Sequence, residues 1–399
     1  MRVLFVVGNA GHHAAIAAPV GRELASTGAH VDVLSIAELR ALSSPASAFP
    51  GVRTWPLVPA GLRGRVPRSL TGASSSSSAR AVKRAARALA WSVLLRARTE
   101  YVLARARPDV VAVMNDAAFP YDAICAVARR RGVPVVLLQE GVRFPLPSEE
   151  RTRSPYGGSE LAAACVWGER SAAHFRSVGR ADRVRVTGNP RYDAVDVERT
   201  RVEGAALRAR LGVSGRLLGY LSNPIDDQGF CSSAEKLALF ERFLSAAAPA
   251  IDEQHATVVV KLHPREDASA FRDVAARSTT KVVMAADAPV LPLLSVLDAG
   301  VVLTSTVGLE AMLFGVPVGA LEIPHAGHPF DYVESGAALA LHADARARDE
   351  VSTLLNGFGV ETAERRARYV DEHLANRGQA ARRVAEVLRE VARRSPGGP

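Results

Sequence analysis

The sequence has little lysine, little cysteine and no long apolar run. Lysine stands only at positions 83, 236, 261 and 281, so 46 of the 50 basic residues are arginine. Together with abundant alanine, glycine and valine, this bias favours a GC-rich genome over a selected basic surface, although the net charge of +9 would also suit an anionic partner. We therefore expect no nucleic-acid partner.

The apolar runs and the cysteines exclude further classes of protein. No apolar run approaches the roughly 20 residues of a membrane span. The run Val3–Val7 is too short for a signal-peptide core and reads as a first strand, so we expect a cytoplasmic protein with at most peripheral membrane contact. Cys125, Cys165 and Cys231 are scattered without metal-ligand spacing, which predicts reduced thiols in or near the core.

Several enzyme motifs are also missing. The chain contains no Asp-x-Asp, His-x-x-x-His or Cys-x-x-Cys, so a protein-bound metal has no support in the sequence. It contains no Walker loop and no Gly-x-Ser-x-Gly, which argues against a P-loop enzyme and a serine hydrolase. We expect a metal-independent protein without a resident cofactor.

What is present is a regular alternation of short apolar runs and helical patterns. This alternation predicts doubly wound parallel sheets with right-handed crossovers, and continuous apolar strands indicate that helices cover both faces. The candidate strands are Val3–Val7, His30–Leu34, Val110–Met114, Pro134–Leu138, Ala163–Trp167, Val184–Val186, Leu217–Leu221, Thr257–Leu262, Lys281–Met284, Ala299–Leu303 and Pro317–Ala320. The candidate helices include Ala14–Thr27, Ala118–Arg131, Ala234–Glu253, Leu309–Phe314, Glu361–Ala375 and Gln379–Arg393.

This pattern predicts an α/β protein of two Rossmann-like domains that face a cleft. Gly188-Asn189-Pro190 is a turn signal followed by a charged stretch, and it predicts a boundary before Arg201. The domains are then residues 1–190 and 191–380. Residues 381–399 form the end of the C-terminal helix and a frayed tail.

The segment Leu42–Ala79 breaks the alternation. It is rich in Pro, Gly and Ser, which is typical of a mobile functional loop or of partial disorder. It leads into a long helix, Arg80–Arg107, which is either an amphipathic crossover helix with a solvated basic face or a basic helix that contacts an anionic membrane or acceptor. Its basic residues include Lys83, Arg84, Arg87, Arg96 and Arg98, around Trp91, Leu94 and Leu95.

A Lys-Leu-His-Pro motif ends a buried strand in the second half of the chain. Pro264 cannot continue the hydrogen-bond ladder, so the chain turns and presents His263 at the strand end. Ligands of open α/β sheets bind at the carboxyl ends of strands. We expect His263 to hold a phosphate, with Lys261 nearby and Arg265 as a further cation. The alternative is a histidine that only closes the loop.

A hydroxyl-rich turn, Thr304-Ser305-Thr306, opens a helix after the strand Ala299–Leu303. Free N–H groups and the positive end of the helix dipole favour a phosphate at such a turn. An ordinary N-cap is the alternative, for which one hydroxyl suffices. Gly308 would let the backbone approach a ligand closely, and the carboxylate of Glu310 would be available for ribose hydroxyls.

The first half of the chain has a turn with two histidines after its first strand. Gly8 and Gly11 fit a dinucleotide-binding glycine loop only in part. We expect this turn, with Asn9 and with His12 or His13, to lie on the acceptor side of the cleft, although a histidine near a turn is more often structural. Asn189 at the domain junction is assigned to the same side.

Two carboxylates are candidates for a general base. Glu140 follows the strand Pro134–Leu138, where a carboxylate can take a proton from a reacting hydroxyl. The alternative for Glu140 is an ion pair with Arg143. Asp116, after the strand Val110–Met114, is the rival candidate.

These motifs resemble those of GT-B glycosyltransferases. The likeness is to the branch with bacterial sialyl- and polysialyltransferases, capsule-polysaccharide transferases and CDP-glycerol glycerophosphotransferases. His263-Pro264 and Thr304-Ser305-Thr306 look like the two motifs that bind the nucleotide and phosphates of the donor in that branch. Gln139-Glu140-Gly141 looks like its acidic pair before glycine, and the glutamine leaves only Glu140 for the catalytic role.

Two further segments carry the resemblance. Gly188-Asn189-Pro190-Arg191-Tyr192-Asp193 is similar to the Gly-x-Pro-x-x-Asp segment at the domain junction of such enzymes. Glu310-Ala311, followed by Gly315-Val316-Pro317, is similar to the ribose-side helix of many GT-B proteins.

The resemblance implies a glycosyltransferase of glycan or secondary-metabolite biosynthesis. It would move a sugar from a nucleotide donor of CMP, CDP or UDP type to a carbohydrate, lipid-linked or small-molecule acceptor, with inversion and without metal. Glu140 would take the acceptor proton, and His263 with Thr306 would stabilise the departing phosphate.

Two alternatives stay open. UDP-N-acetylglucosamine 2-epimerases share the fold, and an epimerase would want acid and base carboxylates, for which Asp116 and Glu140 are available. A non-catalytic two-lobed sugar- or nucleotide-binding protein is the other.

Overall fold

The structure, a computed structural model, describes residues 1–40, 42–65, 78–142, 155–357 and 359–394, with the backbone alone for residues 40, 64, 65 and 78–87. Arg143, the serine run before Ser78, the side chains of Lys83, Arg84 and Arg87, and the tail from Ser395 lie outside this description. In the described part of the chain the strands are β1 (Arg2–Val7), β2 (His30–Ser35), β3 (Arg53–Pro56), β4 (Val110–Val113), β5 (Val135–Leu138), β6 (Ala163–Val166), β7 (Val184–Val186), β8 (Arg216–Leu221), β9 (Ala256–Lys261), β10 (Val282–Met284), β11 (Ala299–Val302), β12 (Val318–Leu321) and β13 (Leu339–Leu341). The α-helices are α1 (His12–Ala25), α2 (Ser78–Ala106), α3 (Tyr121–Arg130), α4 (Glu169–Val178), α5 (Val197–Arg210), α6 (Ser233–Glu253), α7 (Ala268–Arg277), α8 (Val290–Leu294), α9 (Val307–Leu313), α10 (Ala347–Leu355), α11 (Val360–His373) and α12 (Ala380–Arg394).

These strands form two separate parallel sheets. The strand order is β3-β2-β1-β4-β5-β6-β7 in the first sheet and β10-β9-β8-β11-β12-β13 in the second. Each order reverses direction once, between β1 and β4 and between β8 and β11, as in a doubly wound Rossmann sheet. All residues of β4, β5 and β6 are buried, so both faces of the sheet are covered. The predicted α/β class with two doubly wound parallel sheets is confirmed.

All of the predicted strands are present, with ends that differ by one residue at most. The sequence analysis missed β3 and β13, which add an edge strand to each sheet. β3 contains Arg53 and Pro56 within the Pro-rich segment, and β13 has only three residues. Arg53, Thr54 and Pro56 interrupt the apolar pattern of β3. By contrast, β13 lies within the apolar run Ala337–Leu341, which the sequence analysis did not assign to a strand.

The described chain divides into two compact units. The first takes its residues from Met1–Gly141, Thr152–Ala194 and His373–Pro399, and the second from Val142–Arg151 and Val195–Glu372. The sequence-based division at residue 190 lies close to the junction, but it placed α12 after the C-terminal domain. In the structure the buried face of α12 contacts α1 in the first unit. The sequence of an amphipathic helix does not specify which core its apolar face covers.

The sequence predicted no membrane-spanning segment and no disulfide, and both points can be compared with the described residues. None of their helices has both the length and the apolarity that a bilayer crossing requires. Cys125 and Cys165 are buried free thiols and Cys231 is a half-buried one, as the cysteine pattern predicted.

Candidate functional site

The predicted site residues lie in two strand-end clusters, one in each unit. In the first unit, Gly8–His13 follows β1, and Asn115 with Asp116 follows β4. In the second unit, Asn223 follows β8 and Thr304 follows β11. Both pairs of strands are those between which the strand order reverses, and open α/β sheets bind their ligands at such points.

Two side chains hold the carboxylate of Glu140. The Nε2 atom of His13 lies 2.7 Å from Oε2, and the Nδ2 atom of Asn115 donates to Oε1 at 2.7 Å. The Glu140 side chain is 27% exposed, so a ligand hydroxyl can still reach it. Burial alone would raise the pKa of Glu140, but the hydrogen bonds from His13 and Asn115 outweigh it and lower the net pKa. Glu140 is therefore ionised at neutral pH.

The turn after β1 positions His13. Its Nδ1 atom accepts from the backbone N–H of Gly8 at 3.1 Å and lies 3.2 Å from the hydroxyl of Tyr121. An accepting Nδ1 places the ring proton on Nε2, which donates to Glu140. A Cβ atom on Gly8 would lie 2.8 Å from Nδ1 of His13, and Asn9 accepts from the N–H of His13 at 3.1 Å. Gly8 and Asn9 therefore serve the placement of His13.

His12 lies beside this pair with both ring nitrogens engaged. Its Nδ1 atom accepts from the guanidinium of Arg191 at 2.9 Å, and its Nε2 atom donates to the backbone carbonyl of Glu140. Burial, together with the charge of Arg191, lowers the pKa of His12 to about 4. His12 is therefore neutral at pH 7. Gly11, just before α1, has open surroundings, since an added Cβ would meet only Asn9, at 3.8 Å.

Asp116 anchors a loop. It is 2% exposed, and its two carboxylate oxygens accept the backbone N–H groups of Gly157 at 2.7 Å and Ser159 at 3.0 Å. A carboxylate whose oxygens both hold the backbone is poorly placed to exchange protons with a ligand. This geometry favours an anchoring role over the catalytic role that the sequence analysis assigned to Asp116.

The hydrogen bonds of Gln139 explain why an amide rather than a carboxylate occupies this position. Its side chain is buried, and Oε1 accepts from the N–H of Trp167 at 2.8 Å. Its Nε2 atom donates to Ser171 Oγ and to the carbonyl of Gly141, both at 2.8 Å. A carboxylate could not donate these two hydrogen bonds, so only the amide satisfies this position.

The segment before the unit boundary is structural. Asn189 is 3% exposed, and its Oδ1 atom accepts from the N–H of Arg191 at 3.0 Å. Asp193 caps α12 by accepting from Ala380 at 3.0 Å and Ala381 at 2.6 Å. The segment from Gly188 to Asp193 thus binds the N-terminal end of α12 within the first unit. This geometry favours a structural role for Asn189 over the predicted acceptor contact.

In the second unit, His263 closes a turn built on a buried glutamate. Glu266 accepts from the N–H of His263 at 2.8 Å, and its own N–H donates to the carbonyl of His263 at 2.9 Å. Nδ1 of His263 accepts from the N–H of Arg265 at 3.2 Å, which places the ring proton on Nε2. Burial, with the charge of Arg265, lowers the pKa of His263 to about 4. His263 thus offers a neutral N–H donor rather than a cation.

A buried ion-pair cluster supports this turn, and the sequence analysis missed it. The Lys236 side chain is 7% exposed, and its Nζ atom lies 2.6 Å from Asp226 and 3.3 Å from Glu266. Ser222 donates to Glu266 at 2.7 Å. The cluster therefore ties the end of β8 and helix α6 to the turn after β9. The scarcity of lysine drew attention to Lys261, and the same signal would have found Lys236.

The ammonium group of Lys261 is engaged by the backbone of a neighbouring loop. Its Nζ atom donates to the carbonyl of Ala286, in the loop after β10. Burial lowers the pKa of Lys261, partly offset by Asp287. Pro264 and Arg265 are exposed, and Arg265 pairs with Asp227 at 3.0 Å. Both predicted cations, Lys261 and Arg265, therefore already have partners within the protein.

The three hydroxyls of the turn before α9 have different surroundings. Thr304 is buried, and its carbonyl oxygen and Oγ1 accept from Nδ2 of Asn223 at 2.8 and 2.9 Å. Ser305 accepts from the N–H of Val307 at 3.3 Å, which is an ordinary capping bond. Thr306 is half-buried and makes no side-chain capping bond. Thr306 is therefore the hydroxyl best placed to meet a ligand.

Gly308 makes room for a tyrosine. A Cβ atom on Gly308 would lie 2.9 Å from the ring of Tyr332, whose hydroxyl donates to the carbonyl of Ser305 at 2.8 Å and accepts from the N–H of Leu309 at 3.0 Å. The close approach predicted at Gly308 is thus to a side chain of the same unit. Glu310 is 2% exposed, so its carboxylate has little contact with solvent.

A family model matches part of the second unit. Residues 227–325 match the family described as capsule polysaccharide biosynthesis protein. The matched segment, less than half of the chain, contains Lys236, the turn from His263 to Glu266, and Thr306. No curated protein sequence matches the chain significantly.

Solved structures resemble the whole chain. A UDP co-structure of MnaA from S. aureus has a TM-score of 0.62 at 15% identity and covers 98% of this chain and 96% of that one. The UDP-GlcNAc 2-epimerase from Neisseria meningitidis, bound to UDP-GlcNAc, has a TM-score of 0.61 at 16% identity, with 98% and 100% covered. The calicheamicin glycosyltransferase CalG4 has a TM-score of 0.60 at 17% identity, with 99% of each chain covered.

The chain has the GT-B fold. At these identities the likeness shows the fold alone, and both epimerases and glycosyltransferases share it. The reaction must therefore be argued from the two strand-end clusters.

Proposed function

We propose that the protein is a metal-independent glycosyltransferase that moves a sugar from a nucleotide-activated donor to a hydroxyl acceptor in polysaccharide biosynthesis. Glu140 in the first unit is the general base. The strand ends of β8, β9 and β11 in the second unit hold the donor. The match to the capsule polysaccharide family over residues 227–325 supports the donor half of this proposal.

The arrangement around Glu140 is the observation that carries the reaction type. Glu140 is ionised, 27% exposed and held from two sides by His13 and Asn115. An ionised, oriented carboxylate can remove the proton from a hydroxyl as that hydroxyl attacks the anomeric carbon. His13 is less suited to accept this proton, because its Nδ1 already accepts from the N–H of Gly8. Its part is to orient Glu140.

The second unit would bind the phosphates of the nucleotide sugar through uncharged N–H and O–H groups. The Nε2–H group of His263 and the hydroxyl of Thr306, which makes no capping bond, would bind phosphate oxygens of the nucleotide. Such donors stabilise the negative charge that grows on the nucleotide as the glycosidic bond breaks. A leaving group held in this way departs without a metal ion.

The second candidate is a nucleotide-sugar 2-epimerase, since several of the similar structures are UDP-GlcNAc 2-epimerases. That reaction needs an acid and a base at the same sugar. Of the two carboxylates considered for these roles, Asp116 has both oxygens on backbone N–H groups. This observation favours glycosyl transfer, which needs only one base.

Thermal shift against CMP, CDP, UDP, GDP and dTDP, without added metal, tests the donor site. A ligand that binds only the folded protein stabilises it by about 2.7 kcal/mol at 100 times its Kd. We expect one nucleotide to raise the midpoint in wild type and in His30→Ala, an exposed control, but not in His263→Ala. If none of the five nucleotides raised the thermal midpoint, the proposed nucleotide-sugar site would be wrong.

Nuclear magnetic resonance then separates the two reactions. The nucleotide sugar that shifts the midpoint is incubated with the enzyme alone. We expect its sugar to keep its configuration when no acceptor is present. Formation of the 2-epimer under these conditions would overturn glycosyl transfer in favour of the epimerase.

A further inference from the structure

The net excess of positive charge in the chain comes from one segment. Between Glu38 and Glu100 there is no acidic residue, whereas there are 11 basic ones: Arg40, Arg53, Arg63, Arg65, Arg68, Arg80, Lys83, Arg84, Arg87, Arg96 and Arg98. The whole chain has a net charge of +9, so the remainder carries −2, the difference between +9 and +11. A genome-wide preference for arginine explains the choice of arginine over lysine. It does not explain the absence of Asp and Glu from this segment alone.

The second half of α2 presents an apolar face to solvent. Leu89 is 66% exposed, Val93 60% and Tyr101 46%. Because a helix advances 100° per residue, these three share one face with further exposed small residues. The apolar residues of this face are Leu89, Ala90, Val93, Ala97, Tyr101 and Ala104, all exposed. Glu100 lies on the same face, and its charge is paired with Arg130 and Arg131. The opposite face of α2 is already buried in the first unit through Trp91, Leu95, Val102 and Leu103. The exposed apolar face is therefore additional to the one that the fold needs.

Arginines and aromatic rings border this face. The guanidinium of Arg98 lies 4.8 Å from the centre of the Tyr101 ring, and that of Arg105 lies 6.0 Å from it. The rings of Trp55 and Tyr101 meet edge to face at 6.3 Å, and Arg53 stacks on Trp55 at 5.2 Å. Amphipathic rings with guanidinium groups are the composition of protein surfaces at the headgroup level of a bilayer.

We propose that this face of α2 docks on a bilayer surface that contains anionic lipid. Leu89, Val93 and Tyr101 enter the boundary between headgroups and acyl chains, and the exposed Arg96 and Arg105 pair with lipid phosphates. The basic segment attracts the protein to the surface, and the apolar side chains hold it there. A nucleic acid or an acidic polysaccharide would satisfy the charge but would leave Leu89 and Val93 in water, so lipid is the partner that accounts for both features.

Co-sedimentation of the full chain with vesicles tests the proposal. The vesicles are pure phosphatidylcholine, or phosphatidylcholine with about one-third phosphatidylglycerol. We expect binding to the anionic vesicles at about 0.1 M salt and much weaker binding at about 1 M, where the Debye length falls from about 10 to about 3 Å. Equal binding to both kinds of vesicle, or none to either, would overturn the proposal.

Variants locate the surface. Leu89→Ser with Val93→Ser should reduce the partition coefficient at least about tenfold, because two apolar side chains no longer leave water. Val202→Ser with Val360→Ser is the matched control, since these valines are 72% and 77% exposed elsewhere on the protein, and it should bind as wild type. Arg96→Gln and Arg105→Gln should each cost about fivefold, which corresponds to about 1 kcal/mol per charge near the surface. Wild-type binding by the Leu89 and Val93 double variant would exclude this face.

A polyanion control separates the lipid from other anionic partners. Retention on heparin combined with a failure to bind anionic vesicles would replace the lipid by a polyanion and overturn the proposal. The nucleotide-induced thermal shift should be the same in the α2 variants as in wild type. Failure of membrane docking is therefore distinguishable from failure of the proposed transferase activity.

Discussion

The Nε2 atom of His13 lies 2.7 Å from Oε2 of Glu140. The two residues come from the turns after β1 and β5, and Asn115, which binds the other carboxylate oxygen, follows the strand between them in the sheet. The pair therefore depends on the parallel order of three neighbouring strands. It also explains why a glycine, Gly8, has to precede the histidine: only a residue without a side chain leaves room for the ring.

Removal of the Glu140 charge should greatly slow turnover without impairing folding. We expect Glu140→Gln to lower kcat by about 10² to 10⁴ with little change in KM, because a general base acts mainly in the transition state. The measurement is steady-state kinetics, accompanied by the thermal midpoint. Glu160→Gln, an exposed position of the same unit, is the matched control. If Glu140→Gln turned over at the wild-type rate, the base would have to be sought elsewhere.

A methyl group at Gly8 should displace His13. The added Cβ would lie 2.8 Å from Nδ1 of His13 and 3.1 Å from the hydroxyl of Tyr121, so the ring has to move away from Glu140. Gly8→Ala should therefore lower kcat by at least about tenfold. Gly61→Ala, where an added Cβ has no neighbour within 4 Å, should be neutral. Equal activity of the two variants would show that the placement of His13 is not needed.

Loss of the buried lysine should destabilise the second unit. Lys236→Met leaves Asp226 and Glu266 buried without their shared cation, and we expect a cost of about 3 to 5 kcal/mol. Lys281→Met removes an exposed lysine of the same unit and should cost less than about 0.5 kcal/mol. Thermal and urea unfolding of both variants give the comparison. A stable Lys236→Met protein would mean that the two carboxylates become protonated or hydrated without harm to the fold.

Acid should weaken the fold through His12 and His263. The pKa of each lies at about 4 in the folded protein, against about 6.5 in an unfolded chain. Above pH 6.5 both states bind no proton at these sites, and between pH 6.5 and about 4 the unfolded chain binds protons that the folded one does not. Stability should therefore fall with falling pH in this window. Thermal midpoints between about pH 7 and pH 4 should decline less steeply in His12→Gln and His263→Gln than in wild type.

The comparison for this pH prediction is His325→Gln, at an exposed position. Its midpoints should follow the wild-type curve. If the slopes of His12→Gln and His263→Gln also coincided with wild type, neither buried histidine would contribute to the acid sensitivity.

The strand-end positions of Glu140, His263 and Thr306 could be read from the sequence. Continuous apolar runs show where the buried parallel strands lie, and the polar residues after them have to meet at one edge of the sheet. The sequence does not show which of these residues pair, since His13 with Glu140, and Lys236 with Glu266, each join a helix to a strand-end turn elsewhere in the chain. In the sequence, Asp116 and Glu140 both follow a buried strand, so they could not be distinguished. Only the position of the loop at Gly157 and Ser159 separates their roles.

The sequence by itself determined that there are two doubly wound sheets, the ends of eleven of their strands to within a residue, and the turns that carry the polar clusters. It did not show the edge strands β3 and β13. The tertiary structure decided which side chains of those turns already form hydrogen bonds or ion pairs within the protein and which remain accessible to a ligand. It also decided that α12 packs in the first unit and that α2 has one buried and one exposed apolar face. The physical reason is the same in each case. Local periodicity reports that a side chain is apolar or polar, whereas the partner that covers or binds it comes from a distant part of the chain.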